Sequence, residues 1–483
     1  MSTTSLVWFR QDLRLNDHPA LQAALADNQP VIFIYIHDTT MPAQQSWGGA
    51  SRWWLHQSLC RLAADIRSRG NELLIVRGDP AIILQELITL YQVRKIYWHR
   101  CYDAHRMASD TQLKKQFRQQ GCYVESFNGS LLIEPWEIKT KNGEPYQVFT
   151  PYWRNALALI TPISYSLKKA PARLPPLPHN FRTLLSIDDL SFLPKNPYWA
   201  NGFDNNWQPG EKQAWQKLHH FLAENILDYK IKRDYPALSH TSQLSPYLHW
   251  GEIAPWRVWV CCEEVLAHTP SLSINDKMHF QSELGWREFS HYLLYYHPQL
   301  PEKNFRSAFD RFPWRDNAAA LQCWQEGKTG YPLVDAGMRQ LWHIGWMHNR
   351  VRMVVASFLV KHLLLDWRLG ANWFWDTLVD ADIANNSASW QWVAGSGADA
   401  APYFRIFNPV LQSEKFDPDG DYIKSWVPEL AQLNAKQIHA PWRVDTQLLK
   451  EAGIVLNKNY PSPIVNHEIA RREALEAYKS TLK

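Results

Sequence analysis

Short apolar runs alternate with longer amphipathic stretches over the first 135 residues of the chain. The runs are rich in β-branched and aromatic residues, as buried strands are. They lie at Leu6–Phe9, Val31–Ile36, Leu73–Val76, Lys95–Trp98 and Tyr123–Ser126, with helical patterns between them at Ala50–Ser68, Ala81–Tyr91 and Ala104–Gln119. This alternation predicts an α/β domain with a doubly wound, Rossmann-like parallel sheet, whose carboxyl edge suits a nucleotide-type ligand.

The rest of the chain divides into a proline-rich stretch and a helical region. Residues 136–205 show little periodicity and contain KKAPARLPPLPHN and FLPKNPYW, which predict a long ordered linker. We therefore predict an α/β domain at 1–135, a linker at 136–205 and an all-α domain at 206–483. The longest apolar run, at 353–367, contains Lys361 and His362. It is too short and too polar to cross a membrane, and it predicts a buried helix.

Composition narrows the class of protein. A chain of 483 residues with 46% hydrophobic and 20% charged residues indicates a soluble globular protein of two or three domains. Its 25 tryptophans exceed what core packing needs, and indoles also stack on flat ligands and bases. A net charge of +4 permits a basic groove without requiring one. The six scattered cysteines lack metal spacing, and no signal peptide precedes Leu6, so we expect reduced thiols, no metal and a cytosolic location.

The segment DADIANNSASWQW, from Asp380 to Trp392, is the most informative stretch, and PYFRIFNP follows it at 402–409. Carboxylates and amides beside indoles are partly desolvated, so each needs a specific partner. A flat heteroaromatic cofactor with ring nitrogens and carbonyls would supply such partners. The alternative is a helix N-terminus, with Asp380 or Asp382 as the N-cap and the tryptophans in the core.

Two further segments combine polar and aromatic side chains. TSQLSPYLHWGEI, at 241–253, places hydroxyl groups at a helix start, where they either bind phosphate or cap the helix. SELGWREF, at 282–289, places Glu283, Trp286 and Arg287 on one helical face. That face is either a solvated surface pair or a half-buried site, and the apolar neighbours leave both open.

GWMHNRVRM, at 345–353, places Asn349, Arg352 and Met353 on one helical face and Arg350 on another. Two arginines beside an amide bind a carboxylate, a phosphate or a polar ring, or they form a solvated basic face. His348 by itself indicates a core histidine. The spacing of Trp314, Trp367 and Trp390 along the chain predicts only core residues.

Together these motifs resemble the photolyase/cryptochrome flavoprotein family, and within it the bacterial cyclobutane pyrimidine dimer (CPD) DNA photolyases. The resemblance runs from LVWFRQDLRLNDHPAL to NYPSPIV, and EGKTGYPLVDAGMRQL at 326–341, WMHNRVRM, NNSASWQW and DAAPYFRIFNP carry it. It implies an N-terminal α/β domain, a linker and a helical domain that holds one U-shaped FAD. The missing GxGxxG after the first strand agrees with this, because the family does not bind FAD in the sheet.

The resemblance assigns residues to FAD. Its phosphates and ribose would be held by Tyr229, Thr241, Ser242, Leu244 and Ser245. Its isoalloxazine ring would be surrounded by Asn349, Arg352, Asp380, Asp382 and Asn386. Arg352 would pair with Asp380, and Asn386 would face the flavin N5 and tune its redox states.

The implied activity is light-driven repair of UV-damaged DNA by a carbon–carbon lyase. Excited FADH⁻ donates an electron to the flipped-out dimer, the ring bonds break, and the electron returns. The dimer cavity would be lined by Glu283, Trp286, Met353 and Trp392, with Glu283 stabilising charge on the dimer. The DNA backbone would be bound by Arg233, Arg350 and Arg405. Trp390, Trp367 and Trp314 would relay electrons that photoreduce the flavin.

Two departures from the family pattern change what the resemblance implies. Gln243 stands where an arginine is common, so one phosphate contact is lost. His105 and Arg106 replace the Asn-Glu pair of known folate-binding members, so those antenna ligands are not carried over. For the second, antenna chromophore we favour folate (5,10-methenyltetrahydrofolate) over deazaflavin.

The resemblance also implies a monomer in the bacterial cytosol that joins the nucleoid when bound to damage. The rival functions are a cryptochrome-type blue-light photoreceptor, which the retained dimer-cavity residues disfavour, and a (6-4) photolyase. The segment Trp346–Asn349 lacks the histidine pair of (6-4) photolyases.

Overall fold

The computed structural model describes residues 4–26, 28–161, 165, 167–178, 185–268, 272–399 and 404–481. Parts of the predicted linker and the first two residues of the PYFRIFNP motif lie outside these ranges. The described residues divide into two compact units, the first formed by the chain up to Ile226 with Ser242–Pro298 and the second by Leu227–Thr241 with Gln299–Lys483. The domain limits predicted at residues 135 and 205 stay predictions.

The first unit contains a five-stranded parallel sheet. Its strands are β1 (Thr4–Phe9), β2 (Val31–Asp38), β3 (Leu73–Gly78), β4 (Val93–His99) and β5 (Tyr123–Phe127). Their order is β3-β2-β1-β4-β5, so the direction of winding reverses between β1 and β4 and the crossover helices cover both faces. β1 is buried along its whole length. The predicted α/β class and all five predicted strands are confirmed.

The α-helices among the described residues are α1 (Pro19–Leu25), α2 (Gly49–Ser68), α3 (Pro80–Tyr91), α4 (Ala104–Gln119), α5 (Phe149–Ile160), α6 (Asn201–Asn206), α7 (Glu211–His220), α8 (Tyr229–Lys232), α9 (Ser245–His249), α10 (Pro255–His268), α11 (Ile274–Tyr296), α12 (Ala318–Gln325), α13 (Pro332–Ile344), α14 (Asn349–Ser357), α15 (Trp367–Thr377), α16 (Ile383–Ala394), α17 (Pro409–Phe416), α18 (Asp421–Trp426), α19 (Thr446–Glu451) and α20 (His467–Thr481). The region after residue 206 is therefore helical, as predicted. None of these helices is long and apolar enough to cross a membrane. All six cysteines are free.

The expectation of a linker without periodicity is wrong for residues 149–160, which form helix α5. Phe149, Tyr152, Trp153, Ala156 and Ile160 are buried and follow the spacing of one helical face. The prolines on either side hide this period in the sequence. Helix α5 packs against α11 in the first unit, so it forms part of the core.

The single buried helix predicted over 353–367 is interrupted. Helix α14 ends at Ser357 and continues as a π-helical turn, Phe358–His362, whose five residues are all buried. Leu364 then adopts a left-handed φ of 53°, and the Asp366 carboxylate caps α15 by accepting from the backbone N–H of Arg368 at 2.9 Å. Apolar content predicted the burial correctly, but it carries no signal for a break that a cap and one left-handed residue make.

Candidate functional site

An ion pair joins α14 to the segment before α16 in the second unit. Nη2 of Arg352 lies 3.1 and 2.9 Å from the two carboxylate oxygens of Asp380, and its Nε donates to the Met347 carbonyl at 2.7 Å. Asp380 is buried, and the N–H of Val379 donates to the Gly345 carbonyl at 2.8 Å. The predicted Arg352–Asp380 pairing is confirmed, and it ties two loops together.

The start of α16 orients two more polar side chains. Asp382 accepts hydrogen bonds from the backbone and side-chain amides of Asn385, both at 2.8 Å, so the N-cap alternative is confirmed for Asp382. In the first turn, Asn386 donates its side-chain amide to the Ala371 carbonyl at 3.0 Å. Because that bond fixes the amide plane, the carbonyl oxygen of Asn386 is left as an oriented acceptor.

Helix α14 begins beside a charged pair. Nδ1 of His348 caps it by accepting from the N–H of Arg350 at 3.2 Å, and burial lowers the pKa of His348 to about 4, so this histidine is neutral and structural. Arg350 pairs with Asp234 at 2.7 Å and lies over the ring of Phe416 at 4.4 Å. Its predicted separation from Met353 is wrong, since Nη1 of Arg350 is 4.0 Å from Sδ of Met353. Residues three apart are neighbours on a helix.

Glu283 and Trp286 lie on α11 in the first unit, one turn apart. Trp286 is 37% exposed, and its ring stacks on Phe149 of α5 with centroids 3.7 Å apart and planes at 10°. Arg287 is largely buried, 3.4 Å from the Glu288 carboxylate, which favours the half-buried site over a solvated pair. Sequence reasoning missed Phe149, whose only signal was the helical period within FTPYWRNALALI.

The residues matched to the FAD phosphates and ribose are divided between the units. Tyr229 and Thr241 belong to the second unit, and Ser242, Leu244 and Ser245 belong to the first. Ser245 begins α9, and the Ser242 hydroxyl accepts from the N–H of Leu244 at 3.4 Å. The predicted helix start is therefore confirmed.

Two of the residues matched to substrate and DNA lie together in the second unit. Trp392 and Arg405 line one small cavity. The guanidinium of Arg233, matched to the DNA backbone, lies 5.2 Å over the ring of Tyr229. Asp234, the next residue, was missed by the sequence analysis, although its position between Arg233 and a tyrosine offered an adjacent opposite charge as a signal.

Trp314, Trp367 and Trp390 lie in or against one apolar cluster in the second unit. Trp390 approaches α15 so closely that a Cβ on Gly370 would lie 2.1 Å from its ring. Trp367 precedes Gly370 by one turn, and the residue after Trp314 donates its N–H to the Leu364 carbonyl at 2.8 Å. Of the three indoles, Trp390 and Trp367 are buried and Trp314 is partly exposed.

A cavity of about 370 Å³ lies in the first unit. It is lined by Arg10 beyond β1, by Tyr35 in β2, and by Trp47, Arg106 and Trp250. Arg106 lies 5.1 Å over the Trp47 ring, and the centroids of Trp47 and Trp250 are 4.9 Å apart. The cavity occupies the carboxyl edge of the sheet, as predicted for a nucleotide-type ligand.

Asp12, His18 and His99 form a buried cluster in the first unit. Nε2 of His18 and Nδ1 of His99 each lie 3.0 Å from one oxygen of Asp12. The other nitrogen of each ring accepts a backbone N–H, from Leu21 and Ala20. The backbone contacts leave the nitrogens that face Asp12 as the protonated ones, which describes a carboxylate held between two histidines better than a metal centre.

Comparisons with known proteins agree with this architecture. The family model described as DNA photolyase matches residues 5–176, and the one described as FAD binding domain of DNA photolyase matches residues 280–480. A deoxyribodipyrimidine photo-lyase of Agrobacterium fabrum is 48% identical over 99% of this chain and 98% of its own. Cryptochrome-2 of Arabidopsis thaliana is 36% identical over 100% of this chain and 79% of its own. A solved bacterial class III photolyase from Agrobacterium tumefaciens has a TM-score of 0.95 at 46% identity, covering 100% of this chain and 98% of that one.

A parallel α/β domain followed by helices that carry a guanidinium, carboxylates and amides is the architecture of the light-active flavoproteins matched by these models. The chain belongs to the DNA photolyase family, as its resemblance indicated. The side chains in the second unit fit FAD. Arg352, Asp380 and Asn386 offer both donors and acceptors, which suits a ring edge of alternating carbonyl and N–H groups.

We expect Arg352→Met to lose FAD. The substitution leaves the buried Asp380 carboxylate without its partner, at a cost of about 2 kcal/mol or more in flavin binding or stability. The ratio of flavin to protein absorbance after gel filtration measures this. Lys328→Met, which breaks an exposed pair with Glu326, is the matched control and should keep its flavin. Full flavin content in Arg352→Met would contradict the assignment.

Proposed function

We propose that this chain is a light-dependent DNA repair enzyme that splits cyclobutane pyrimidine dimers. The carrying observation is the buried Arg352–Asp380 pair, followed by the oriented amide of Asn386 on α16, in a chain similar from end to end to a deoxyribodipyrimidine photo-lyase. When bound, reduced FAD supplies an electron on excitation by blue light and takes it back after the dimer opens. The chain's own residues hold the flavin, the dimer and the DNA strand.

The flavin would be held by charge and by oriented amides. Asn349, Arg352, Asp380 and Asp382 would surround the ring system, and Tyr229, Thr241, Ser242, Leu244 and Ser245 the phosphates and ribose. The Asn386 amide, held by the Ala371 carbonyl, presents an oxygen that can accept the N5–H of reduced flavin. That acceptor would disfavour the oxidised form, because its N5 carries no hydrogen.

The dimer would be held by Glu283 and Trp286 of α11 together with Met353 and Trp392. Photolyases are among the general examples of enzymes that flip a base out of the helix. The indoles would replace lost stacking, and Phe149 would support this by fixing the plane of Trp286. Glu283, close to the pyrimidine carbonyls, would stabilise the negative charge that develops on the dimer.

The DNA backbone would be bound by arginines. Arg233, Arg350 and Arg405 would contact phosphates beside the lesion, which gives sequence-independent and salt-sensitive binding. Asp234 keeps Arg350 extended over Phe416 until a phosphate competes for it. The proposal includes action as a monomer on UV-damaged DNA of the nucleoid, in the bacterial cytosol.

Repair tests the proposed function directly. Reduced protein is incubated with UV-damaged oligothymidylate under blue light and in the dark, and the recovery of thymine absorbance is followed. We expect recovery only in the light. Glu283→Ala should lower it about fivefold, the factor that a hydrogen bond of ~1 kcal/mol gives.

The exposed Glu264 supplies the matched control, and Glu264→Ala should repair normally. Bound flavin without light-dependent recovery in the unsubstituted protein would replace repair by the photoreceptor function of a cryptochrome. Normal repair in Glu283→Ala would exclude Glu283 from the mechanism but would leave the repair function itself in place.

Trp390, Trp367 and Trp314 would conduct electrons toward an oxidised flavin. Their order runs from buried to partly exposed, which suits transfer from solvent to the core. The Trp367 Nε1 donates to the amide oxygen of Asn304 at 3.0 Å, so a hydrogen-bond acceptor lies beside this indole. A relay of this kind reduces the flavin but takes no part in the repair cycle.

Trp367→Phe should therefore separate two activities. Blue light with an external reductant should reduce its oxidised flavin far more slowly than that of the unsubstituted protein, because phenylalanine is much harder to oxidise. Dimer repair by chemically reduced protein should be unchanged. Trp442→Phe, on the far side of the same cluster against Tyr331, is the control. Equal photoreduction in both variants would remove Trp367 from the relay.

A second chromophore would occupy the cavity of about 370 Å³ in the first unit. We favour folate over deazaflavin. Trp47 and Trp250 offer faces for a flat pterin, and Arg10, Arg52 and Arg106 line the cavity where glutamyl carboxylates need cations. His105 and Arg106 stand where other members carry the Asn-Glu pair, so the contacts differ from theirs.

We expect Trp47→Ala to lose this chromophore and to keep FAD. Chromophores released by denaturation are separated and compared with 5,10-methenyltetrahydrofolate and deazaflavin standards. Trp136→Ala, at an exposed site of the same unit, is the control. Retention of the second chromophore in Trp47→Ala would exclude the cavity, and release of deazaflavin would exclude folate.

A further inference from the structure

The small cavity beside Trp392 is surrounded by positive charge. Its volume is about 20 Å³, and it lies in the second unit. The cations that line it are Arg306, Lys361 and Arg405, and the remaining lining residues are Trp392, Val393, Gly395, Phe404, Phe407 and Tyr478. Arg306 and Arg405 are exposed at its rim, whereas Lys361 is 4% exposed. Among the described residues that line it, none is acidic.

Lys361 is a buried cation without a counter-ion. Its ammonium donates to the backbone carbonyl of Arg405 and lies 4.4 Å from the ring of Phe404. Within the described part of the chain, no carboxylate pairs with Lys361, Arg306 or Arg405. Burial, with Arg405 adding to it, lowers the pKa of Lys361 to about 7. Three cations around one cavity therefore lack an anion.

The size of the cavity selects the kind of anion. A volume of about 20 Å³ holds one atom the size of a water oxygen, since a water needs roughly 10–15 Å³ measured this way. A nucleotide or a carboxylate side chain with its stem does not fit. A phosphodiester can insert one non-bridging oxygen and leave its phosphorus and sugars outside, between the two arginines.

We propose that this cavity seats one backbone phosphate of the DNA strand, with Lys361 at its floor and Arg306 and Arg405 at its rim. The inference rests on the proposed function, which assigns Arg405 to the DNA backbone. It adds Arg306 and Lys361 as ligands, and it fixes a phosphate next to Trp392, the indole assigned to the dimer. The π-helical turn that carries Lys361 turns its side chain toward this site.

Phosphate binding at this seat is coupled to a proton. The groups that face Lys361 are Arg306, Arg405, Tyr478 on α20 and the adjacent His362, which contacts His467. The arginines stay charged, and burial lowers the pKa of His362 to about 3, so it stays neutral. Because a bound phosphate favours the charged ammonium, affinity for DNA falls as the pH rises above 7, by at most about tenfold per unit.

The test measures binding of a duplex that contains one dimer, in the dark, by fluorescence anisotropy. Lys361→Met keeps the apolar stem and removes the charge, and Arg306→Gln changes the rim alone. Each should weaken binding about tenfold and reduce the salt slope by at most about 0.9, the value for complete loss of one phosphate contact. Lys436→Met, an exposed lysine of the same unit, is the control and should change neither.

A second arm locates the phosphate. Duplexes carry an uncharged methylphosphonate at one linkage at a time around the dimer. One linkage should weaken binding by the unsubstituted protein more than it weakens binding by Lys361→Met, because the variant keeps the two arginines but lacks the ammonium that faces this phosphate. Binding of that variant should also be independent of pH between 7 and 9.

The outcomes separate the two proposals. If the unsubstituted protein does not prefer damaged DNA, the proposed function fails. If it does, and no linkage depends on Lys361 or Arg306, the phosphate seat is wrong. If chloride or inorganic phosphate occupies the cavity while DNA affinity stays unchanged, the cavity is a site for small anions only. Arg306→Gln, at an exposed position, decides the matter if Lys361→Met does not fold.

Discussion

The ion pair between Arg352 and Asp380 is the constraint on which the second unit's polar site depends. A buried carboxylate is costly without a cation, so the loop before α16 must lie where the guanidinium of α14 reaches it. The Val379–Gly345 hydrogen bond ties the same two segments through the backbone. Once these segments are joined, Asp382 caps α16, and the amide of Asn386 one turn later donates to the Ala371 carbonyl.

The first unit contains the parallel sheet, and the second unit consists mainly of helices. The reversal of winding between β1 and β4 opens the carboxyl edge of the sheet, where a cavity with indoles and arginines lies. No glycine fingerprint follows β1, which agrees with an FAD-binding domain matched at residues 280–480. In the second unit, the ring of the buried Trp390 packs directly against Gly370 of α15.

Sequence reasoning succeeded where a local rule decides the outcome. The five strands were predictable because a parallel sheet buries both faces and makes each strand an apolar run. Sequence reasoning failed where the apolar pattern alone does not determine the local structure. Helix α5 was hidden by surrounding prolines, and the left-handed Leu364 interrupts an apolar run that looks continuous. The contact of Arg350 with Met353 was also missed, because assigning the two residues to different faces of α14 ignored that residues three apart are neighbours on a helix.

The sequence by itself determined the fold class, the family and the candidate polar residues of the site, because motifs and hydrophobic periods are properties of the chain. Only the tertiary structure decided which groups meet. Phe149 beneath Trp286, Asp234 on Arg350 and Lys361 under Arg405 join residues 44 or more positions apart. Burial and pairing depend on packing between elements, and local sequence carries no record of the partner.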